Sequence, residues 1–239
     1  MHSYFIAIGN ANSIEGLTTD IEVGMKAITR PSFPALKKKN KTYQVDGKDG
    51  DYYEDLGYQD RKIDIKYNFY DRKTIHDRVR RIRRFLDNAV GKKLAFSDDP
   101  EFFYIIKHLE YGDIERITKR IGNFTVSIIV EPFAYKFATN QFIEINSGDQ
   151  VYNDGDFKSK PLIEIEGNGY IKLWINNNLI GFNVVDKTLI DCKKELCYRE
   201  DELTNLKIGN YPILEKEFNN IRWEGNVKKV SLNPNYIYY

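Results

Sequence analysis

The stretch Asn153-Asp154-Gly155-Asp156-Phe157-Lys158-Ser159-Lys160-Pro161-Leu162-Ile163-Glu164-Ile165-Glu166-Gly167-Asn168-Gly169-Tyr170-Ile171-Lys172-Leu173-Trp174-Ile175-Asn176 sets the architecture. It opens on a polar turn and a proline, and proline is well tolerated where a strand begins. Residues 162–166 and 170–175 both alternate apolar and polar, the period of half-buried strands. Asn168-Gly169 between them predicts a two-residue hairpin turn. Something new starts here, after a segment that closes on Glu131-Pro132-Phe133-Ala134-Tyr135, and the chain is organised about that break.

Downstream, short strands are expected at 142–145, 179–185, 188–191, 195–199, 206–208, 219–224 and 227–232, with Gly167, Gly169, Gly181, Gly209 and Gly225 between or within them. Strands at that spacing without a helix signal predict an all-β sandwich over residues 137–239. Upstream, residues 4–8 form a strand and 21–28 a loosely alternating edge strand. Residues 62–70 give the clearest strand of the first half, with Ile63, Ile65, Tyr67 and Phe69 on one face. One helix is expected at 74–89. Ile75, Val79, Ile82, Leu86 and Ala89 make its apolar stripe, Thr74 and Asp77 an N-terminal cap, and Gly91 the stop. Strands at 93–96, 101–111, 113–120 and 123–135 complete a meander. The reading is a mainly β chain: an N-terminal antiparallel β domain with one α-helix, α+β in class, over residues 1–136, then the β-sandwich.

The 239 residues suffice for one large β domain or two small ones, and 41% hydrophobic with 14% aromatic content can fill packed cores. A formal net charge of +1 gives no global attraction to nucleic acid or anionic membrane. The N-terminus lacks the basic start and long apolar run of a signal peptide, and no apolar run approaches the ~20 residues that span a bilayer. A soluble protein made in a cytoplasm is expected, with Cys192 and Cys197 as reduced thiols.

Several charged clusters are candidate sites. Arg72, Lys73, Arg78, Arg80, Arg81, Arg83 and Arg84 crowd the helix. They read as its wet side or a protein interface, because they point in several directions and form no flat stripe for phosphates. Lys37-Lys38-Lys39 lies in a proline-bearing segment, 30–40, read as a solvated loop or arm. Asp46, Asp49, Asp51, Glu54 and Asp55 surround Gly47 and Gly50, but lack the ligand spacing of a calcium loop and read as turn chemistry. Asp98-Asp99 before a proline reads as a turn rather than a catalytic carboxylate pair. His2, His76 and His108 are scattered, and there is no phosphate loop or nucleophile elbow. Nothing in the residues points to an enzyme, a cofactor or a metal.

Several motifs, in their order along the chain, resemble the distal tail proteins of long-tailed, non-contractile bacteriophages and related prophage tail components. They are Glu15-Gly16-Leu17; Val45-Asp46-Gly47-Lys48-Asp49-Gly50 with Tyr52-Tyr53-Glu54-Asp55; Leu94-Ala95-Phe96-Ser97-Asp98-Asp99 after the helix; Glu131-Pro132-Phe133-Ala134-Tyr135; Asn153-Asp154-Gly155 with Pro161, Gly167 and Asn176; Ile190-Asp191; and Ile208-Gly209-Asn210-Tyr211-Pro212-Ile213-Leu214 with Asn219. One departure is Phe218, where the family usually has glycine.

The resemblance implies a ring-forming first domain and an outer galectin-like or carbohydrate-module-like sandwich. It implies a homohexamer, or a back-to-back dodecamer when isolated, between the tail tube protein and a tail-tip hub protein of the tail-associated lysin type. Receptor-binding or peripheral tip proteins would dock outside. DNA and the tape-measure protein would pass through the lumen unread. The protein would sit at the virion tail tip after synthesis in the host cytoplasm, without membrane insertion. Expected ring contacts are Lys37, Lys38 and Lys39, the strand residues Lys66 and Asn68, the strand at 102–111, and Arg80 and Arg84. The alternative is a carbohydrate-binding module for host attachment, using Trp174, Trp223 and the Tyr236-Ile237-Tyr238-Tyr239 tail, although the alternating strand around Trp174 makes it a core residue.

Overall fold

The protein is described from a computed structural model covering residues 4–72, 75–199, 202–203 and 207–239. His2, Lys73, the cap at Thr74 and the start of the strand expected at 206 lie outside the described residues. The chain divides into two compact units, the first ending at Ala134 and the second running Tyr135–Tyr239.

In the first unit, β1 (Ile6–Gly9), β2 (Thr18–Thr19), β3 (Met25–Ala27), β6 (Arg61–Tyr70), β7 (Lys93–Phe96), β8 (Asp99–Tyr111) and β10 (Ile121–Val130) pair antiparallel in the order β2-β1-β7-β8-β10-β6-β3. The short β9 (Glu115–Arg116) adds to β10. Ile6-Ala7-Ile8 and Leu94-Ala95-Phe96 are buried at consecutive positions, so β1 and β7 are covered on both faces. On β6, Ile63, Ile65, Tyr67 and Phe69 are all buried and the residues between them exposed; Arg61, at the start of the strand on the same face, is buried too. Across the ladder Ile63 faces Ile128, Ile65 faces Val126, and Tyr67 stacks on Phe124 at 5.6 Å. The expected helix is α2 (Ile75–Asp87), with Ile75, Ile82 and Leu86 buried and Ala89 buried just beyond it.

Two expectations for this unit fail. Residues 21–28 are not one edge strand. A one-turn helix, α1 (Asp20–Val23), precedes β3, and only β3 is the edge. The Thr19 hydroxyl accepts from the Glu22 N–H at 3.2 Å while the Glu22 carboxylate accepts from the Thr19 N–H at 2.7 Å, and Gly24 ends the turn at φ 91°. Residues 113–120 contain strand only at β9, because the segment turns back on itself between Ile117 and Ile121.

In the second unit, β11 (Tyr135–Lys136) is followed by β12 (Ile143–Ile145), β13 (Gln150–Asn153), β14 (Leu162–Ile175), β15 (Asn178–Asp191), β16 (Leu196–Arg199), β17 (Glu202–Leu203), β18 (Lys207–Gly209) and β19 (Glu217–Asn233). The order is β12-β19-β14-β15-β16-β17, with β13 also on β19 and β18 also on β15. The hairpin expected at Asn168-Gly169 is absent. Residues 162–175 are one continuous strand, paired to β15 from Leu162 opposite Asp191 to Ile175 opposite Asn178. The reversal comes at Asn176-Asn177, with Asn176 at φ 53°, a left-handed conformation that asparagine tolerates. The strands expected at 179–185 and 188–191 likewise form one strand, as do those at 219–224 and 227–232.

These three long strands bend rather than reverse. Register shifts against β19 fall between Glu166 and Gly167 and between Asn168 and Lys172. At Gly167 a Cβ would lie 2.4 Å from the Asn226 carbonyl oxygen, and at Gly225, where φ is 117°, it would lie 2.7 Å from that of Tyr170. The backbones approach too closely there for any side chain. Ile163 and Ile165 before the bend, and Ile171, Leu173 and Ile175 after it, therefore point into one core with Ile180, Phe182, Leu214, Ile221, Val230 and Leu232. The sheet curls around its own interior.

Candidate functional site

The feature of the first unit that its core does not explain is a separate hairpin. Among the described residues, β4 (Lys38–Tyr43) and β5 (Tyr52–Tyr58) form strand pairs only with each other, and every residue of β4 is exposed. Lys38 holds Asp55 at 2.7 Å, Lys48 donates to the Tyr52 hydroxyl at 2.7 Å, and Lys41 sits 4.6 Å from the Tyr43 ring centre. At the base, the Gln59 N–H donates to the Lys37 carbonyl, and Tyr58 meets Phe133 edge-on at 5.2 Å. Apolar surface remains in water: Tyr53 is 68% exposed, and Tyr43, Val45, Tyr52 and Leu56 are exposed too. A lone two-stranded ribbon is marginal in water, so one that keeps aromatics exposed invites a partner surface. The structure thus places Lys37 at the hairpin base and Lys38 and Lys39 in its first strand. The sequence predicts a solvated loop or arm, or a flexible hairpin tip, at 30–40, and not the strand that begins at Lys38.

Lys66 and Asn68 both point outward from β6. Lys66 lines a concavity of about 450 Å³ with Ile28, Asp113, Glu115, Asn123 and Thr125. Asn68 lines another of about 360 Å³ with Gly24, Met25, Lys26, Tyr70 and Ile121. On β8, in the expected strand at 102–111, His108 and Glu110 point to solvent 3.0 Å apart.

The arginines divide into two sets. Arg78 donates to the Val23 carbonyl at 3.2 Å and Arg81 to that of Glu22 at 2.8 Å, both at the C-terminal end of α1. Cations there satisfy carbonyls the helix leaves open and oppose its dipole. Arg78 also reaches Asp71 at 3.5 Å. These two brace the fold. Arg72, Arg80, Arg83 and Arg84 are exposed, and of the four only Arg80 has an ion pair among the described residues, with Asp77 at 2.8 Å.

In the second unit the two tryptophans lie on opposite faces of the sheet. Trp223 packs against the core, with its backbone N–H accepted by the Ser147 hydroxyl at 3.1 Å. Trp174 alternates with Leu173 and Ile175, so it faces away from the core, half-buried under the Arg222 guanidinium at 4.3 Å. The core assignment for Trp174 is therefore wrong, and the pair forms no common platform for a sugar. The C-terminal tail folds back on its own unit. Tyr236 is buried and donates to the Tyr152 carbonyl, Tyr238 donates to Asp154 at 3.3 Å, and the Tyr239 ring lies 4.7 Å from Phe157. The exposed ring pair is Tyr152 with Phe218, directly opposite across β13 and β19 at 5.1 Å. The unusual Phe218 is the sequence signal for it.

Asn153, Asn176 and Asn219 converge around the backbone at 214–219. Fully buried Asn219 donates to the carbonyls of Glu215 at 2.9 Å and Glu217 at 3.1 Å, and accepts from the Glu215 N–H and the Asn176 amide, both at 2.8 Å. Asn153 donates to the Phe157 and Glu215 carbonyls and accepts from the Gly155 N–H. The amides do the work of a missing ladder.

Cys192 and Cys197 are buried reduced thiols, and burial pushes the Cys192 thiol far up, away from thiolate. Ser97 and Asp98 form a tight turn between Phe96 and Asp99, shorter than expected because Asp99 and Pro100 already belong to β8, and Asp98 lies 3.6 Å from Arg30. Among the described residues no three His, Cys, Asp or Glu side chains cluster as metal ligands.

The family model of the phage tail protein RIFT-related domain matches residues 19–130. No curated protein matches the chain in sequence. Among solved structures, the chain is similar to the Dit (gp 19.1) protein of phage SPP1, described as a paradigm of hub adsorption apparatus in phages infecting Gram-positive bacteria. The TM-score is 0.64 at 13% identity, covering 97% of this chain and 99% of that one. It is also similar to a chain of the phage P2 baseplate in its activated conformation, with a TM-score of 0.55, at 11% identity with calcium and 12% with strontium, covering 97% of each chain in both. Residues 19–130 thus belong to the phage tail protein RIFT-related family, and the whole chain has the fold of a siphophage distal tail protein, the family that its sequence resembles.

Proposed function

We propose that this protein is a structural hub of a phage tail tip, closing as a homohexameric ring between the tail tube and the tail-tip hub protein. DNA and the tape-measure protein would pass through the ring without being read, and the second unit would dock receptor-binding or peripheral tip proteins. The protein would act in the virion tail tip without catalysis. The observation that carries the reading is the β4–β5 hairpin, exposed over all of β4 and over residues 52–56 of β5, whose two strands join no larger sheet among the described residues. A ring is a heterologous assembly in which each protomer offers two different faces, and a projecting hairpin is one such face. The concavities beside Lys66 and Asn68 and the arginine face of α2 are candidates for the other.

Replacing residues 38–58 by a short Asn-Gly turn tests it. The expected product keeps the circular dichroism spectrum of the wild type but sediments as a monomer. A shortened chain that still assembles into the wild-type ring overturns the role given to the hairpin.

A further inference from the structure

We infer that the exposed arginine face of α2 seats the acidic hairpin tip of a second copy of this chain, an inference that rests on the ring reading above. Within the hairpin, residues 46–55 hold Asp46, Asp49, Asp51, Glu54 and Asp55 against the single cation Lys48. Asp46, Asp49 and Asp51 are exposed and make no ion pair among the described residues, while Lys48 is turned onto Tyr52. The opposite concentration lies on α2, where Arg80, Arg83 and Arg84 are exposed, with exposed Arg72 ahead of the helix in sequence. Among the described residues none of Asp46, Asp49 and Asp51 pairs with any of these arginines, and the one ion pair on the arginine surface is Arg80 with Asp77.

The arginine surface is also a fixed one. Arg78 and Arg81 tie α2 to the end of α1, and Ile82 and Leu86 bury its other side. Its exposed guanidiniums are presented on a braced helix and can take carboxylates two bonds at a time. Complementary charge of this kind steers encounter and selects the partner, while each exposed pair alone contributes little and is screened by salt. Hairpin and helix face are different surfaces, as head-to-tail closure requires.

Charge reversal tests the contact. One variant carries Arg80→Glu, Arg83→Glu and Arg84→Glu; the other carries Asp46→Lys, Asp49→Lys and Asp51→Lys. Circular dichroism verifies folding, and Arg83→Gln with Arg84→Gln serves as a milder second variant. By light scattering, each reversed chain alone needs at least a tenfold higher concentration to assemble than the wild type. Mixed in equal amounts they assemble again in alternation, because each tip then meets a helix of opposite sign. Wild-type assembly also weakens as sodium chloride rises from 0.1 to 1 M. If the reversed chains assemble like an assembled wild type, the contact is wrong while the ring stands. If the wild type remains monomeric throughout, the ring and the contact fall together.

Discussion

Asp20 is almost fully buried, with its Oδ1 accepting from the N–H groups of Ile6 and Ile21. Desolvation, outweighing those hydrogen bonds, pushes its carboxyl up from 3.8 to about 6. A pKa raised by folding means stability that is complete below the unfolded value and lost as pH rises through the folded one. For a rise of this size the loss by neutral pH reaches up to about 3 kcal/mol. Thermal unfolding should therefore show the wild type gaining stability from pH 7 to 5, with Asp20→Asn flattening that gain; equal slopes would contradict the assignment. Asn219 makes the opposite case, a buried polar side chain with its needs met. Asn219→Ala leaves several buried backbone groups unpaired and should cost about 3 kcal/mol or more in denaturant unfolding, against no change if the network is incidental. In the sequence, Asn153, Asn176 and Asn219 stand as separate points of a resemblance. That they converge is not legible there, because the convergence is made by contacts between positions up to 68 residues apart.

At the scale of elements, β6 and α2 are legible because a burial pattern of period two or 3.6 runs unbroken through each. The expected hairpin at Asn168-Gly169 fails for a reason the pattern itself contains. A two-residue turn there would set Ile165 opposite Lys172 and Ile163 opposite Trp174, mixing apolar and polar residues on one face. The apolar positions 163, 165, 171, 173 and 175 keep one parity throughout, as a single strand demands. Asn-Gly here permits a bend, and the close approach of Gly167 to Asn226 makes it. Gly167→Ala should thus be the worse substitution, costing at least about 2 kcal/mol. Gly169→Ala, in open space at φ 91°, should cost about 1–2 kcal/mol from its left-handed backbone alone. The reverse ranking in urea melts would place the crossing elsewhere. The one-turn α1 is too short to show a period, although Thr19 and Glu22 spell its capping box. The hairpin at 38–58 is unreadable as an element because it has no buried face to impose alternation.

At the scale of the whole molecule, the family resemblance rests on the order of weak glycine and proline motifs, and the match over residues 19–130 and the fold likeness over nearly the full chain bear it out. Those motifs mark turns and close approaches, which the backbone of the fold requires whatever side chains its surfaces carry. For the same reason they identify the scaffold and say little about its surfaces, so the surroundings of Lys66, Asn68 and the arginines emerge only from the folded structure. The proposed function stands or falls on whether this scaffold closes on itself. Native mass spectrometry of the wild-type chain, across a concentration series at low ionic strength, decides that question. The expected mass is six times that of the 28.0 kDa chain, or twelve times for two rings back to back; a monomer persisting to the highest concentration would contradict ring closure.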